Sequence, residues 1–231
     1  RRGRCRWKCR GGEEGVVKLV VGLGNPGPRY AGSRHNVGFR IVDRLAAAQG
    51  FEFSQERFGG RCATGHVPLV PSAQVSARAE PLVLLEPLTF MNRSGESVSA
   101  ALANLPEVEP GDDLLVVHDD LDLPLGRIRI RPRGGAGGHR GLGDIIASLE
   151  SNEFARLRFG IGRPVSDTGP ERRQGVVDFV LDGFEPEEQQ LLAERISAAT
   201  EAVVTFLQQG ASVAMDRFNA DPERLAQRDV D

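Results

Sequence analysis

The sequence predicts an α/β fold: one domain built on a central mixed, largely parallel sheet with helices on both faces. Apolar runs of strand length alternate along the chain with segments of helical periodicity. Runs such as LLVV, at 114–117, contain only Leu and Val, as in strands that are buried on both faces. The length of 231 residues allows one substantial core with flanking tails.

Strand composition and helical periodicity place the individual elements. The predicted strands are 18–24, 62–67, 81–87, 113–119, 126–132, 156–162 and 176–184. The predicted helices are 37–49, 94–104, 141–149 and 185–210. Gly50 is expected to cap the first helix and Gly210 to end the last one. Residues 68–80 break both periodicities and are predicted to form a surface loop.

The two ends of the chain differ in composition from the middle. The first ten residues, RRGRCRWKCR, hold six cations and no acid, which indicates a remnant of a targeting segment or a basic tail without function. We expect a basic tail at 1–17, the domain at 18–219 and a C-terminal tail at 220–231. The expected location is the cytoplasm, or a plastid or mitochondrion if the basic segment is a targeting remnant.

Composition argues against a membrane span and against a disulfide framework. No run of about 18 apolar residues occurs. The cysteines Cys5, Cys9 and Cys62 form an odd, sparse set that fits neither paired disulfides nor a zinc spacing. Such a set is typical of a reducing compartment.

The stretch GLGNPG, at 22–27, has the G-x-G-x-x-G spacing of dinucleotide-binding loops. In those loops a helix begins directly at the glycines and holds the pyrophosphate. Here Pro26 and Pro28 remove backbone donors, and helical periodicity begins only at Val37. Asp43, the nearby acidic residue, lies inside that helix and does not end a second strand. The pattern therefore favours a polar site at a strand end over a nucleotide loop.

Metal and covalent chemistry find little support in the sequence. The four histidines, His35, His66, His118 and His139, stand in no pattern such as H-E-x-x-H. In HDDLD, at 118–122, neighbouring side chains of an extended segment would point to opposite faces. No G-x-S-x-G elbow is present. A hydrolase built on this chain is expected to activate water without a metal.

Four polar residues lie at or after predicted strand ends and suit such a site. Activation of water needs a base, a carboxylate that orients it and donors for the developing oxyanion. His35 and Asp119 supply the first two, and Asn25 and Asn92 lie on loops that converge with them in a parallel sheet. Taken singly, Asn25 could form a turn, Asn92 could cap a helix and Asp119 could make an Asx-turn.

A row of arginines follows the Asp119 strand. GRIRIRP, at 126–132, places Arg127, Arg129 and Arg131 on one side of a strand, and a glycine-rich loop then leads into a helix. Residues 127–163 contain eight arginines and three acidic residues, although the whole chain has a net charge of −3. Such a row can bind phosphates, with help from the helix start, or can simply be a solvated face.

Four longer motifs carry a family resemblance in their order and spacing. They are VVGLGNPGPRYAGSRHNVGF, LLEPLTFMNRSGES, VVHDDLDLPLGRIRIRPRGGAGGHRGL and RLRFGIGRP, followed by a weaker match in VVDFVLDGF and ASVAMDRFN. They resemble the bacterial-type peptidyl-tRNA hydrolases over residues 18 to 219.

The resemblance implies a monomeric α/β enzyme that hydrolyses the ester between a peptide and the 3′ ribose of tRNA, recycling tRNA during translation. It implies no metal, no cofactor and no membrane. By position, His35 matches the catalytic base, Asp119 the carboxylate that supports it, and Asn25 the residue that recognises the N-blocked peptide. The residues that match the cleft for the tRNA 3′ end are Tyr30, Phe90, Met91 and Asn92. The positions that match contacts to acceptor-arm phosphates are Arg129, Arg131 and Arg158.

One position departs from the family pattern. Where the family usually has a substrate-binding asparagine after GGH, this chain has Arg140. Relatives in plant organelles serve in RNA splicing, so a catalytically weak RNA-binding descendant is the alternative. The presence of Asn25, His35, Asn92 and Asp119 favours the enzyme, because a pure binder needs no base with an orienting carboxylate.

Overall fold

In the computed structural model, which describes residues 16–68, 79–164 and 172–220, seven strands form one sheet. The strands are β1 (Lys18–Gly22), β2 (Gln55–Arg57), β3 (Gly60–Pro68), β4 (Ala79–Pro87), β5 (Leu114–Asp120), β6 (Ile128–Arg131) and β7 (Ala155–Gly160). Their order across the sheet is β2-β3-β4-β1-β5-β7-β6.

The sheet is mixed, as predicted, but it is less parallel than expected. The centre, β4-β1-β5-β7, is parallel, whereas β2-β3, β3-β4 and β6-β7 pair antiparallel. The turn between β2 and β3 is too short for a parallel crossover. Its two residues, Phe58 and Gly59, both have positive φ, as such hairpins require. The parallel strands are therefore confined to the middle, where their carboxyl ends share one edge.

Helices cover both faces, as predicted. They are α1 (Val37–Gln49), α2 (Ser94–Asn104), α3 (Pro110–Asp113), α4 (Arg140–Leu149), α5 (Arg172–Leu181) and α6 (Gln189–Phe218). One core layer joins α1 and α6 to the sheet, and the second joins α2 and α4 to the opposite face. Gly50 caps α1 in the left-handed conformation, at φ 69°, which confirms the predicted end of that helix.

Two predictions for individual elements are wrong. The segment 176–184, predicted as a strand, instead contains the second half of α5 and the turn that follows it. The β6 edge, where a further strand could pair, is occupied by the side chain of Asn219, which bonds to both N and O of Ile130. Gly210 does interrupt the last helix, at φ 83° and ψ 174°, but the chain resumes helical structure to Phe218. The short strand β2 was not predicted.

Several sequence expectations lie outside the described residues. These are the tails at 1–15 and 221–231 and most of the loop expected at 68–80. Cys62 is buried and free on β3. Within the described ranges, no helix combines the length and apolarity needed to cross a membrane.

Candidate active site

A cleft of about 660 Å³ opens where the carboxyl ends of β1 and β5 meet the loop after β4. It gathers the residues that the sequence assigned to catalysis and to the 3′-end cleft. Its lining includes Asn25, Tyr30, His35, Phe90, Met91, Asn92, Asp119 and Arg140. The apolar wall opposite comes from α5, through Val176, Val177, Val180 and Leu181. The sequence analysis did not find this wall because it assigned the segment to the sheet.

Close packing of α1 on the sheet places His35 over β5. A Cβ on Gly38 would lie 2.5 Å from the backbone of Leu23 and from the carbonyl oxygen of Val117, so only glycine fits there. The 3-10 turn Arg34–Asn36 comes directly before α1, and its residues are buried. The histidine is therefore held by a rigid strand-turn-helix unit.

His35 and Asp119 form the predicted pair. The Nδ1 atom of His35 lies 2.8 Å from Oδ1 of Asp119, a residue 84 positions further along the chain. An ionised carboxylate only accepts hydrogen bonds, so Nδ1 carries the hydrogen and donates it. The Nε2 atom is left with its lone pair on a ring that lines the cleft. Asp119 therefore does not make the Asx-turn; Asp120 does, by accepting from the backbone N–H of Asp122 at 2.9 Å.

His139 is a third member that the sequence analysis missed. Its Nε2 lies 3.0 Å from the same Oδ1 of Asp119, while its Nδ1 accepts the backbone N–H of Leu142 at 3.2 Å. Because Nδ1 accepts, the hydrogen that points to Asp119 is on Nε2, which donates it. The available signal was its place before the predicted helix at 141–149, since it is the N-cap of α4.

The charge of this cluster is concentrated on Asp119, whose side chain is almost fully buried. Burial alone would raise the pKa of that carboxyl, but His35 and His139 hold it well below its usual range. The neighbouring His118 behaves differently: burial is the main cause that lowers its pKa to about 3, and the adjacent His139 ring acts in the same direction. His118 donates from Nδ1 to the Asp119 carbonyl at 2.6 Å and stays neutral.

The same three groups are also the candidate metal ligands. His35, Asp119 and His139 each offer one ligand atom, all within 4.8 Å of one another. Two imidazoles and one carboxylate can in principle hold a transition metal. In this arrangement the N–H groups of the two rings donate to the same carboxylate oxygen.

Asn25 is fixed by a network that joins three loops. Its Oδ1 accepts the backbone N–H of Met91 at 2.8 Å, so its Nδ2 remains to donate to a ligand. The backbone N–H of Asn25 donates to Oδ1 of Asn36, and Nδ2 of Asn36 donates to the backbone carbonyl of Asn25, each at 2.9 Å. Asn36 was also missed, and its place beside His35 was the only signal. Asn25 thus links loops, and is not merely a turn former.

Asn92 and Phe90 lie on the loop after β4. Asn92 is exposed and is not a cap, because the residue before α2 is Arg93. Phe90 is 49% exposed and has φ 61°, which is unusual for an aromatic residue and costs free energy. Strained, exposed aromatic side chains beside a cleft suit contact with a ligand.

The arginine row keeps its predicted alternation. Ile128 and Ile130 are buried, whereas Arg129 is half-buried and Arg131 exposed, and neither arginine has an ion-pair partner among the described residues. Across the β6-β7 pair, Arg129 faces Arg158, which donates from Nε to Oδ2 of Asp120 at 2.6 Å. Arg129, Arg131 and Arg158 lie outside the cleft lining, on the strands beside it.

Not every cation in this region can meet a ligand. Arg156, opposite Arg131, is 2% exposed and donates to backbone carbonyls of Gly134, Gly135 and two residues before β7. It holds the glycine-rich loop that carries His139. The positive charge of 127–163 is thus divided between loop support and an accessible row.

The fold and the site define an α/β protein with a hydrogen-bonded histidine-carboxylate pair at the carboxyl edge of a mixed sheet. The sequence profile of the family described as Peptidyl-tRNA hydrolase matches residues 19–227. The chain belongs to this family.

Relatives with this name cover most of the chain. A peptidyl-tRNA hydrolase of Synechococcus sp. (strain JA-3-3Ab) is 46% identical over 208 residues, covering 90% of this chain and 84% of the relative. One of Symbiobacterium thermophilum is 45% identical over 204 residues, covering 88% of this chain and 100% of the relative. The crystal structure of peptidyl-tRNA hydrolase from Acinetobacter baumannii matches with a TM-score of 0.74 and 36% identity, over 91% of this chain and 98% of that one.

Proposed function

We propose that this protein hydrolyses peptidyl-tRNA at the ester between the peptide and the 3′ ribose. The observation that carries the proposal is the His35-Asp119 pair at 2.8 Å in a cleft of about 660 Å³. Membership of the family and curated relatives of the same name support the activity. They give no support to the alternative of a splicing-type RNA-binding factor.

His35 is the general base in this proposal. Its Nε2 takes a proton from water, and the hydroxide oxygen attacks the ester carbonyl. Asp119 stabilises the imidazolium that forms, and its low pKa keeps it ionised for that role. Collapse of the tetrahedral intermediate breaks the bond to the ribose oxygen, which takes the proton from Nε2. The products are tRNA with a 3′ hydroxyl and the peptide carboxylic acid, which loses its proton to solvent and leaves as the carboxylate.

Asn25, Asn92 and Arg140 position the substrate. The free Nδ2 of Asn25 suits the carbonyl of an N-blocked peptide, which distinguishes peptidyl-tRNA from aminoacyl-tRNA. Asn92 and Arg140 offer donors at the cleft to the oxyanion or to a substrate phosphate. Tyr30, Phe90 and Met91 offer apolar surface to the terminal nucleotide.

The acceptor arm is bound by Arg129, Arg131 and Arg158. Phosphate contacts of this kind position a nucleic acid without reading its sequence. We place the enzyme as a monomer, without metal or cofactor, in the cytoplasm or in an organelle of bacterial descent. Light scattering of the purified protein and fractionation of its source cells would check these two points.

The test is release of peptide from N-acetyl-aminoacyl-tRNA by the purified protein, with and without a chelator. Unblocked aminoacyl-tRNA is the matched control. We expect turnover of the blocked substrate and little turnover of the unblocked one. The chelator should have no effect on turnover once the Mg²⁺ that it removes has been replaced. Absence of turnover would defeat the proposal, and loss that zinc restores would make the three-ligand cluster a metal site.

A further inference from the structure

The wall of the cleft formed by α5 is anchored at one buried arginine. Among the described elements, α5 packs most extensively against the turn Arg34–Asn36, which carries His35. The backbone N–H of Arg34 donates to the carbonyl of Asp182, just after α5, at 2.8 Å. An isolated bridge pairs Ser33 with Gly183 in the same place. The base and the wall are therefore joined directly.

The side chain of Arg34 holds this junction together. It is 4% exposed, and its guanidinium lies 4.4 Å from the ring centre of Phe179 and 4.8 Å from that of Phe184. Its Nη1 and Nη2 donate to the two carboxylate oxygens of Glu188, at 3.1 and 2.8 Å. A planar guanidinium can stack on rings and donate to both oxygens at once, which a lysine cannot.

Each partner of Arg34 belongs to a different element. Phe179 is on α5, four residues or fewer from each of the cleft-lining residues Val176, Val177 and Val180. Glu188 lies before α6, and its carboxylate also accepts the backbone N–H of Glu185 at 2.7 Å. Partial burial opposes ionisation of Glu188, but hydrogen bonds from Arg34 and Glu185 lower its pKa. The arginine thus ties α5 and α6 to the turn of the base.

We propose that Arg34 is a positioning residue for substrate binding, which holds the α5 wall at a fixed distance from His35 through Phe179, Phe184 and Glu188. This inference rests on the proposed hydrolase function. Arg34 does not line the cleft and touches no reacting atom. Its loss displaces the apolar wall and leaves the His35-Asp119 pair in place.

The chain offers a matched control in Arg61. This arginine likewise combines carboxylate partners with an aromatic ring: it donates to Glu86 and Asp43 and lies 4.7 Å from the ring centre of Phe53. It is on β3 and does not line the cleft. Arg61→Lys therefore removes the same kind of interaction without affecting the wall.

The experiment compares Arg34→Lys with Arg61→Lys in steady-state hydrolysis and in amide hydrogen exchange of the whole protein. For Arg34→Lys we expect a rise in KM of about tenfold with kcat changed less than about threefold, because misplaced binding groups weaken substrate binding. Exchange should rise selectively at 176–181. Arg61→Lys should leave KM and the exchange of α5 unchanged.

Unchanged KM and unchanged α5 exchange in Arg34→Lys would overturn the proposal, as would exchange that rises evenly along the chain. If Arg34→Lys does not fold, Glu188→Gln and Phe179→Leu are measured by the same two criteria. The exchange result does not depend on hydrolysis. If the wild-type protein shows no turnover but Arg34→Lys still raises exchange selectively in α5, the proposed function is refuted and the anchoring role of Arg34 stands.

Discussion

Two buried carboxyl groups of this protein have opposite electrostatic character. Asp119 is 3% exposed and Glu86 is 0% exposed, and both face cationic or donor side chains. Two imidazoles donate to Asp119 and hold its pKa well below the usual range. Burial, together with the nearby charge of Asp43, raises the pKa of Glu86 to about 8, although Arg61 opposes this shift. Burial alone thus does not determine charge.

The difference comes from the geometry of the partners. Asp119 receives two neutral N–H donors that are fixed by a turn and by a helix cap. Arg61 donates to Oε2 of Glu86 but is 39% exposed and shared with Asp43, and Oε1 of Glu86 has no partner among the described residues. The two fixed donors keep Asp119 ionised, whereas Glu86 has one oxygen without a described partner and a raised pKa. Five predictions test this contrast.

The largest effect is expected at the base that Asp119 supports. His35→Ala should lower kcat by about 10²–10⁴-fold, the usual worth of general base catalysis, while tRNA binding survives. His66→Ala, an exposed histidine on β3, is the matched control and should be neutral. Turnover and filter binding of both variants give the answer. Full activity of His35→Ala would break the assignment.

The second prediction concerns the arginines beside the cleft. Replacement of Arg129 and Arg131 by Ala should weaken the binding of all tRNAs to the same extent. It should also flatten the plot of log affinity against log salt concentration. The expected change in slope is about 0.7–0.9 per lost phosphate contact. A double replacement of Arg44 and Arg57 removes the same charge elsewhere. Equal slopes for the two double variants would make the row a solvated face.

A smaller effect is expected at Arg140. Arginine donates but cannot accept, so it can grip a phosphate or carbonyl but cannot hold a water by accepting its proton. Arg140→Asn should raise KM and leave kcat equal or higher, with a net change within about tenfold. Steady-state assays on one peptidyl-tRNA give KM and kcat, and single-turnover assays on the same substrate separate binding from the chemical step. A fall in kcat would show that the arginine itself serves the chemistry.

At the other carboxyl the expected effect is on stability alone. The pKa of Glu86 is higher in the fold than its ordinary value of 4.5, so its contribution is most favourable below about pH 4.5 and is lost as the pH rises through about 8. Glu86→Gln should therefore gain in melting temperature relative to the wild type between pH 5 and 9. Thermal unfolding across this range checks the sign. A constant difference would mean that Glu86 stays ionised throughout.

The sequence could predict that His35 and Asp119 lie together at one site but not their full surroundings. His35 follows β1 and Asp119 lies near the end of β5, and the parallel pairing of these strands brings their ends together, so position along the chain sufficed. His139 reaches Asp119 because it is the N-cap of α4, and composition does not predict the direction in which a helix begins. Likewise, the alternation of arginine and isoleucine correctly placed Arg129 and Arg131 on one side of the strand. It could not show that Arg156 donates its hydrogen bonds to backbone carbonyls of the loop.

The failure at α5 has a related cause. The apolar residues of this segment, Val176, Val177 and Val180, line the cleft and do not pair in the sheet. A short apolar run does not distinguish a strand from a helix that forms such a wall. The edge that might have paired with it is taken by Asn219, which is 89 residues from Ile130 in the chain. Contacts between residues so distant in the chain cannot be predicted from the local sequence, which is why the segment 176–184 was assigned to the sheet.

The most direct test of the contrast is to neutralise each carboxyl with its own amide. Asp119→Asn and Glu86→Gln are assayed side by side for turnover of N-acetyl-aminoacyl-tRNA at neutral pH. Asp119→Asn should lower kcat at least about tenfold, though less than His35→Ala, because the imidazolium loses its counter-charge. Glu86→Gln should retain the wild-type kcat. Equal losses in the two variants, or full activity of Asp119→Asn, would contradict the account.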